Sequence, residues 1–208
     1  MDITSKSLYH ANFVLVFRKE KFAFPDHSLL FSVYQGEKAA GARFIDDPIL
    51  KTKVLDLPAL KIQIAIDPNR LRLEDFSQQE PPNSNLVNET LNVYQQLFSQ
   101  APLISLGFNF DIYYRSSGVI QLRDLFNNFA DSKILEKGDL RDVGVQFTLD
   151  KGGGKREVYF LKIIAPLEIA VHVNHHFPVS KLPEQAELNT IFEKCYDATD
   201  EIIENLKL

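Results

Sequence analysis

The sequence predicts an α+β fold: one or two antiparallel sheets with helices packed on one face, built as two related halves. The first observation behind this is a pattern that occurs twice. Alternating segments at 61–74 precede an amphipathic stretch at 84–99, and alternating segments at 158–176 precede another at 183–206. The second is aromatic content. The 208 residues include 16 Phe and 7 Tyr but no Trp, and Phe and Tyr favour strands and bury large areas. Residues 1–208 therefore read as a single domain, divisible into halves 1–116 and 117–208, large enough to bury a substantial core without staples.

Each element has its own signal. Residues 11–17 are a short continuous apolar run, the pattern of a strand buried on both faces. Residues 22–25 read as a loop. Residues 29–34 and 42–45 flank a turn region holding Gly36 and Gly41 and read as a hairpin. Asp46, Asp47 and Pro48 then break the chain, and Pro58 delays the next strand. Ile62, Ile64 and Ile66 alternate with Lys61, Gln63 and Ala65, which is period two with a clear inner face. Asp67-Pro68-Asn69 is turn chemistry, and Leu71 and Leu73 alternate on the return strand. The polar stretch 78–85 is a loop in which Ser84 or Asn85 can cap a helix. Val87, Leu91, Tyr94, Leu97 and Phe98 recur at helical spacing, and Pro102 ends that helix.

Leu106, Phe108, Phe110, Ile112 and Tyr114 form the clearest strand of the chain, followed by a turn at 116–118. Leu122, Leu125, Phe126 and Phe129 mark a short amphipathic helix. Val143, Val145, Phe147 and Leu149 alternate as a strand, and glycines at 152–154 connect it to the next. Residues 158–164 are apolar on both faces and predict a central strand. Ala165-Pro166 marks a turn or bulge. Leu167, Ile169, Val171 and Val173 point one way, and Glu168, Ala170, His172 and Asn174 the other. Pro183 suits a first helical position, and Leu188, Ile191, Phe192, Cys195, Ile202 and Leu206 form the stripe of the last helix.

The net charge of −5 comes from interspersed acidic and basic residues, with no run of five like charges. Phosphate binding calls for a basic stripe, so nucleic acid is not an expected partner. The single cysteine, Cys195, excludes an intrachain disulfide and fits a reducing, cytoplasmic location. The apolar run at 13–17 is too short for a membrane span or a signal peptide, so no membrane association is expected.

His172, His175 and His176 invite a metal reading, since imidazole is the commonest metal ligand near neutral pH. On a strand, however, positions four apart lie about 13 Å from each other, too far to share an ion. No metal site and no cofactor are expected. Gly152-Gly153-Gly154 lacks the spacing of a phosphate-binding loop, and no G-x-S-x-G elbow is present. Asp46-Asp47 and Glu74-Asp75 are carboxylate pairs at strand ends. No residue is assigned a catalytic role. The binding candidates lie on outward strand faces: Arg70 and Arg72 on one strand, Asn109, Asp111 and Tyr113 on another, Glu168, His172 and Asn174 on a third. If these strands adjoin, they make a polar patch dotted with aromatics.

The order Arg70-Leu-Arg-Leu-Glu-Asp-Phe, a helix, Leu106-Gly-Phe-Asn-Phe, Leu167-Glu-Ile-Ala-Val-His-Val and a final helix resembles an uncharacterised, sporadically distributed prokaryotic family with repeated strand–helix units. The likeness is one of layout. The family's more basic stretch near 106–114 is reduced here to Arg115. The resemblance implies the fold and carries no activity, so it transfers no site residue.

The functional expectation is a non-enzymatic interaction or accessory protein with a protein partner, acting through sheet edges, the polar sheet face or a helix groove. Exposed sheet edges also make a homodimer an available outcome. Two alternatives come from other classes. One is a small apolar-ligand binder with Phe108, Phe110, Phe147 and Phe160 lining a sheet–helix pocket. The other is a metal-assisted enzyme using His172, His176 and a carboxylate.

Overall fold

The computed structural model describes residues 2–19, 24–120, 127 and 143–205. One antiparallel sheet of nine strands organises them. The strands are β1 (Ile3–Phe17), β2 (Arg43–Asp47), β3 (Thr52–Leu57), β4 (Ile62–Asp67), β5 (Arg70–Asp75), β6 (Leu103–Ser116), β7 (Gly144–Asp150), β8 (Arg156–Ala165) and β9 (Glu168–Pro178). Their order in the sheet is β2-β3-β4-β5-β1-β6-β9-β8-β7. The two longest strands, β1 and β6, lie side by side at the centre.

Period-two patterning places the core. A row of directly paired residues crosses the sheet from Phe44 through Leu55, Ile64, Leu73 and Phe13 to Phe108 and His175. This face carries the helices α1 (His27–Ser32), α2 (Leu86–Val93) and α3 (Gln185–Glu204). Phe192 of α3 lies over Phe108 and Phe110, with ring centroids 5.0 and 5.3 Å away. Phe98, in the π-helical turn that continues α2, meets Phe17 at 5.4 Å. The apolar stripe of α3 is Leu188, Phe192, Cys195, Tyr196 and Ile203, all buried. Leu206 of the expected stripe lies outside the described residues, as do Leu122, Leu125, Phe126 and Phe129 of the expected short helix and Phe22 of the expected loop.

Three sequence expectations are corrected. Residues 29–34 are not a strand. They belong largely to α1, because Asp26 accepts a hydrogen bond from the Leu29 amide at 2.8 Å and caps a helix start. The partner of β2 is instead β3, an unexpected strand between Pro48 and Pro58. The hairpin joining them closes on Asp47, whose carboxylate accepts from the amides of Ile49 and Leu50 at 2.9 Å. Finally, β8 is not central. It lies next to the edge strand β7, and Phe160 and Ile164 on its outer side are 40% and 46% exposed. An apolar outer face had mimicked a strand buried on both sides.

Among the described residues, no helix covers the opposite face of the sheet, and no helix is long and apolar enough to cross a membrane. This open face carries a polar row that runs from Gln63 and Glu74 through Asn12 and Asn109 to Asn174.

Candidate functional site

All eight binding candidates stand on the open face, and β6 and β9 adjoin there, but β5 is one strand removed from that pair. β1 separates β5, with Arg70 and Arg72, from β6, with Asn109, Asp111 and Tyr113. Two residues of β1 that the sequence reading passed over make the connection. His10 reaches a carboxylate on each neighbouring strand, and Asn12 joins the amide of Asn109 on β6.

A β-bulge lies beside the bridge. Leu8 pairs with Ile112 and His10 with Asp111, so Tyr9 is an extra residue in β1. A bulge re-aims the side chains around it. Here it lets two consecutive residues serve one face: His10 reaches Asp111, and the Tyr9 ring lies 5.6 Å from that of Tyr113.

A row of ionisable groups crosses four strands. Arg72 Nε lies 2.8 Å from Glu74 Oε1, Glu74 Oε2 lies 3.4 Å from His10 Nε2, His10 Nδ1 lies 3.0 Å from Asp111 Oδ2, and Asp111 Oδ1 lies 2.7 Å from His172 Nδ1. The His10 ring also stacks on Phe76 with centroids 4.9 Å apart. Burial opposes a charge on His10, but the two flanking carboxylates outweigh it and raise its pKa to about 9. Burial would likewise raise Asp111, yet its contacts with both histidines hold it well below the usual carboxylate range. Glu74 is lowered through its hydrogen bond to His10. From Glu74 through His10 to Asp111 the row thus alternates in charge at neutral pH.

Beside it runs the amide row. Asn109 Nδ2 donates to Asn12 Oδ1 at 2.5 Å, and Asn174 Nδ2 donates to Asn109 Oδ1. Asn12 and Asn109 are buried although, among the described residues, no helix lies above them. Their mutual hydrogen bonds satisfy polar groups that would otherwise be costly to bury.

Next to the amide row the face sinks into an open trough of about 590 Å³. Its floor is Gly107, whose strand neighbours are Val14 and His176. A Cβ at Gly107 would stand 3.0 Å from the His175 carbonyl oxygen, so the missing side chain is a packing requirement. Arg70 and Arg72 stand on one wall and His172 and His176 on the other, with Asp67 as the carboxylate of the lining. A second register shift, where Val16 pairs with Ser105 and Phe17 with Leu103, leaves Ile104 unpaired and 44% exposed at the mouth. At the other end of β6 lies a smaller cleft of about 240 Å³, lined by Tyr9, Tyr113 and Phe160 and sharing His172 and Asp111 with the charge row.

Other candidates fall apart on this geometry. Glu168 pairs with Arg115 at the far end of β9, away from the trough. His175 points to the helix face, so the three histidines do not converge, and among the described residues no group of three or more His, Cys, Asp or Glu could hold a metal ion. Phe108 and Phe110 are packed against Phe192, Phe147 stacks on Tyr159, and Phe160 faces the opposite side of the sheet. These four rings do not surround one space. Glu74 of the carboxylate pair belongs to the charge row, whereas Asp75 faces the helices and holds Ser84 at 2.6 Å. Asp46 lies 3.6 Å from Lys53, apart from the trough.

Comparison with protein-family models, with curated proteins and with solved structures finds no match.

Proposed function

We propose that the protein is a non-enzymatic binding module that engages a protein partner through the open face of its sheet. The observation that carries this is the ordered polar surface of β5, β1, β6 and β9. An exposed face of an antiparallel sheet needs only solvated polar side chains. This one instead holds buried amides and ion pairs in fixed positions around a trough, which lowers the cost of ordering groups on association. The histidines of the row are bonded to carboxylates and not to a hydroxyl or thiol that they could activate.

The same topology favours two related halves. β1 is followed by the β2–β5 strands, the last of which returns to pair with β1, and then by α2. β6 is followed by β7–β9, the last of which returns to pair with β6, and then by α3. The halves meet where Asn12 faces Asn109. This reading moves the boundary from Ser116 to the start of β6, near Pro102.

Site-specific photocrosslinking in the native host tests the binding face. A photoreactive residue at position 70 or 113 should trap a partner protein, and one at Lys194, exposed on α3, should not. Crosslinks from position 194 with none from 70 or 113 would refute the assignment.

A further inference from the structure

We infer that the open face binds an extended acidic peptide segment carrying one aromatic or large apolar residue. This rests on the proposed binding function and adds the class of ligand. The argument begins with shape. The trough and the cleft are not separate sites: both lie along β6 and both include His172. From Ile104 to Tyr113 the path covers about 30 Å at the usual strand rise, the reach of about nine extended residues. β1 and β9 stand two strand spacings apart, about 10 Å, which admits one extended chain. The trough is open along its length, so it suits a polypeptide crossing it better than a small molecule, whose tight binding needs nearly complete enclosure.

Charge gives the second part. Arg70 and Arg72 bring two guanidinium groups to the trough, Arg72 already paired with Glu74 at 2.8 Å, and the rings of His172 and His176 lie opposite. Asp67 is the acidic residue of the lining and is already bonded to Thr52 at 2.9 Å. Arg156 pairs with His176 and brings a third guanidinium to that side, while burial and this same Arg156 lower the His176 pKa. Guanidinium groups present forked donors that match carboxylates. The chain as a whole is acidic, but at physiological salt charges act over about 8 Å, so the local balance, with Arg70, Arg72 and Arg156 against Asp67 and Glu74, decides which ligand is attracted.

The cleft gives the third part. Tyr9, Tyr113 and Phe160 are all partly exposed around it. Tyr and Phe rings at this spacing supply a pocket for an aromatic or large aliphatic anchor. Gly107 and Tyr113 are six positions apart on β6, so the anchor and the acidic residues of the ligand are about six residues apart, or about 20 Å.

Fluorescence anisotropy with the full chain tests this. The probe is a labelled peptide of roughly twelve residues with one Phe and two Glu about six and eight positions away, in a Ser/Thr background. The controls replace both Glu by Lys, or Phe by Ser. The acidic probe should bind at least tenfold tighter than the lysine probe at low salt, with the ratio shrinking as salt rises. Arg70→Glu should weaken it at least fivefold, and Phe160→Ala should weaken the Phe probe but not the Ser probe. Lys194→Glu, the same charge change on the far layer, should have no effect. Equal binding of acidic and lysine probes, no binding of either, or indifference to Arg70→Glu would overturn the inference. So would full competition by millimolar inorganic phosphate, which would mark an anion site without peptide recognition. If photocrosslinks from positions 70 and 113 persist while the acidic probe fails, the ligand class is wrong and the binding face stands.

Discussion

His10 and Asp111 are bonded across the central strand pair at 3.0 Å, beside the bulge in β1 that turns Tyr9 onto the same open face. Because the folded pKa of His10, about 9, lies above the ordinary value of 6.5, its contribution to stability is fully present below about pH 6.5 and is lost as pH rises through 9. The protein should therefore lose stability between pH 6.5 and 9. The loss is on the order of 2 kcal/mol once solvent screening at the half-exposed Asp111 is allowed for. Denaturant melts of wild type and His10→Gln across this range check it: the variant should be less stable at pH 6.5 and should show a flatter profile. Parallel profiles would sink the assignment.

Asp111 serves two histidines, His10 and His172. Asp111→Asn should bring the His10 pKa down toward the ordinary range, because one of its two carboxylate partners is gone while burial remains. It should also destabilise the fold by about 1–3 kcal/mol at pH 7. Titration of the imidazole proton resonances reads the first effect directly. An unmoved His10 would show that Glu74 alone sets its charge.

The sheet was legible wherever a strand buries one face in clean alternation. Ile62, Ile64 and Ile66 of β4, and Leu106 to Tyr114 of β6, gave both their extended form and the side they bury. The errors came where a short polar contact overrode the pattern. Asp26 starts α1 in a stretch that otherwise resembles a strand, and Asp47 folds back a hairpin that the adjacent Pro48 had seemed to end. The charge row was half visible. Arg72, Asp111 and His172 sit on outward positions, and His10 shares their face by alternation with Asn12, but it precedes the run at 11–17 that reads as buried on both faces; what period-two reasoning cannot place is Tyr9, which a one-residue bulge turns onto the same face. The signal that could have found the trough is Gly107, a glycine amid the strongest strand pattern of the chain.

His175 is the opposite of His10. It is 1% exposed on the helix face, between the Phe110 and Tyr159 rings, and neither ring nitrogen has a hydrogen-bond partner among the described residues. Burial lowers its pKa, only partly offset by Glu157 at 3.5 Å. A histidine held neutral in the fold has no effect above about pH 6.5, where the unfolded chain is neutral too, and increasingly favours unfolding as pH falls below it. His175→Leu should therefore narrow the difference in melting temperature between pH 7 and pH 5. A difference as wide as that of wild type would mean that other groups govern the acid limb.

Tyr114 fastens α3 to the sheet. Its buried hydroxyl donates to Asp200 Oδ1 at 2.7 Å, and the same oxygen lies 2.8 Å from Lys6 Nζ, which sits 3.2 Å from the centroid of the Tyr196 ring. Removing the hydroxyl leaves the ring packing intact and breaks a hydrogen bond to a charged acceptor. Tyr114→Phe should cost about 1.5–3 kcal/mol, measured by denaturant unfolding, and should speed amide exchange in α3 more than in α2. A uniform change across both helices would argue against a local fastening.

Phe108 and Phe160 separate a packed interior from a binding surface. Phe108 is fully buried, with Phe13 at 4.4 Å and Phe192 at 5.0 Å, whereas Phe160 is 40% exposed on the open face. If the helix layer is solid at this point, Phe108→Ala leaves a cavity and should cost about 3–5 kcal/mol, while Phe160→Ala should cost less than about 1 kcal/mol. If Phe108 instead lined a space kept for an apolar ligand, truncating it would remove few packing contacts and the two costs would converge. Equilibrium unfolding of both variants decides the matter. Similar costs would revive the apolar-ligand reading, and a large gap would leave the open face as the side on which an exposed aromatic is free to serve recognition.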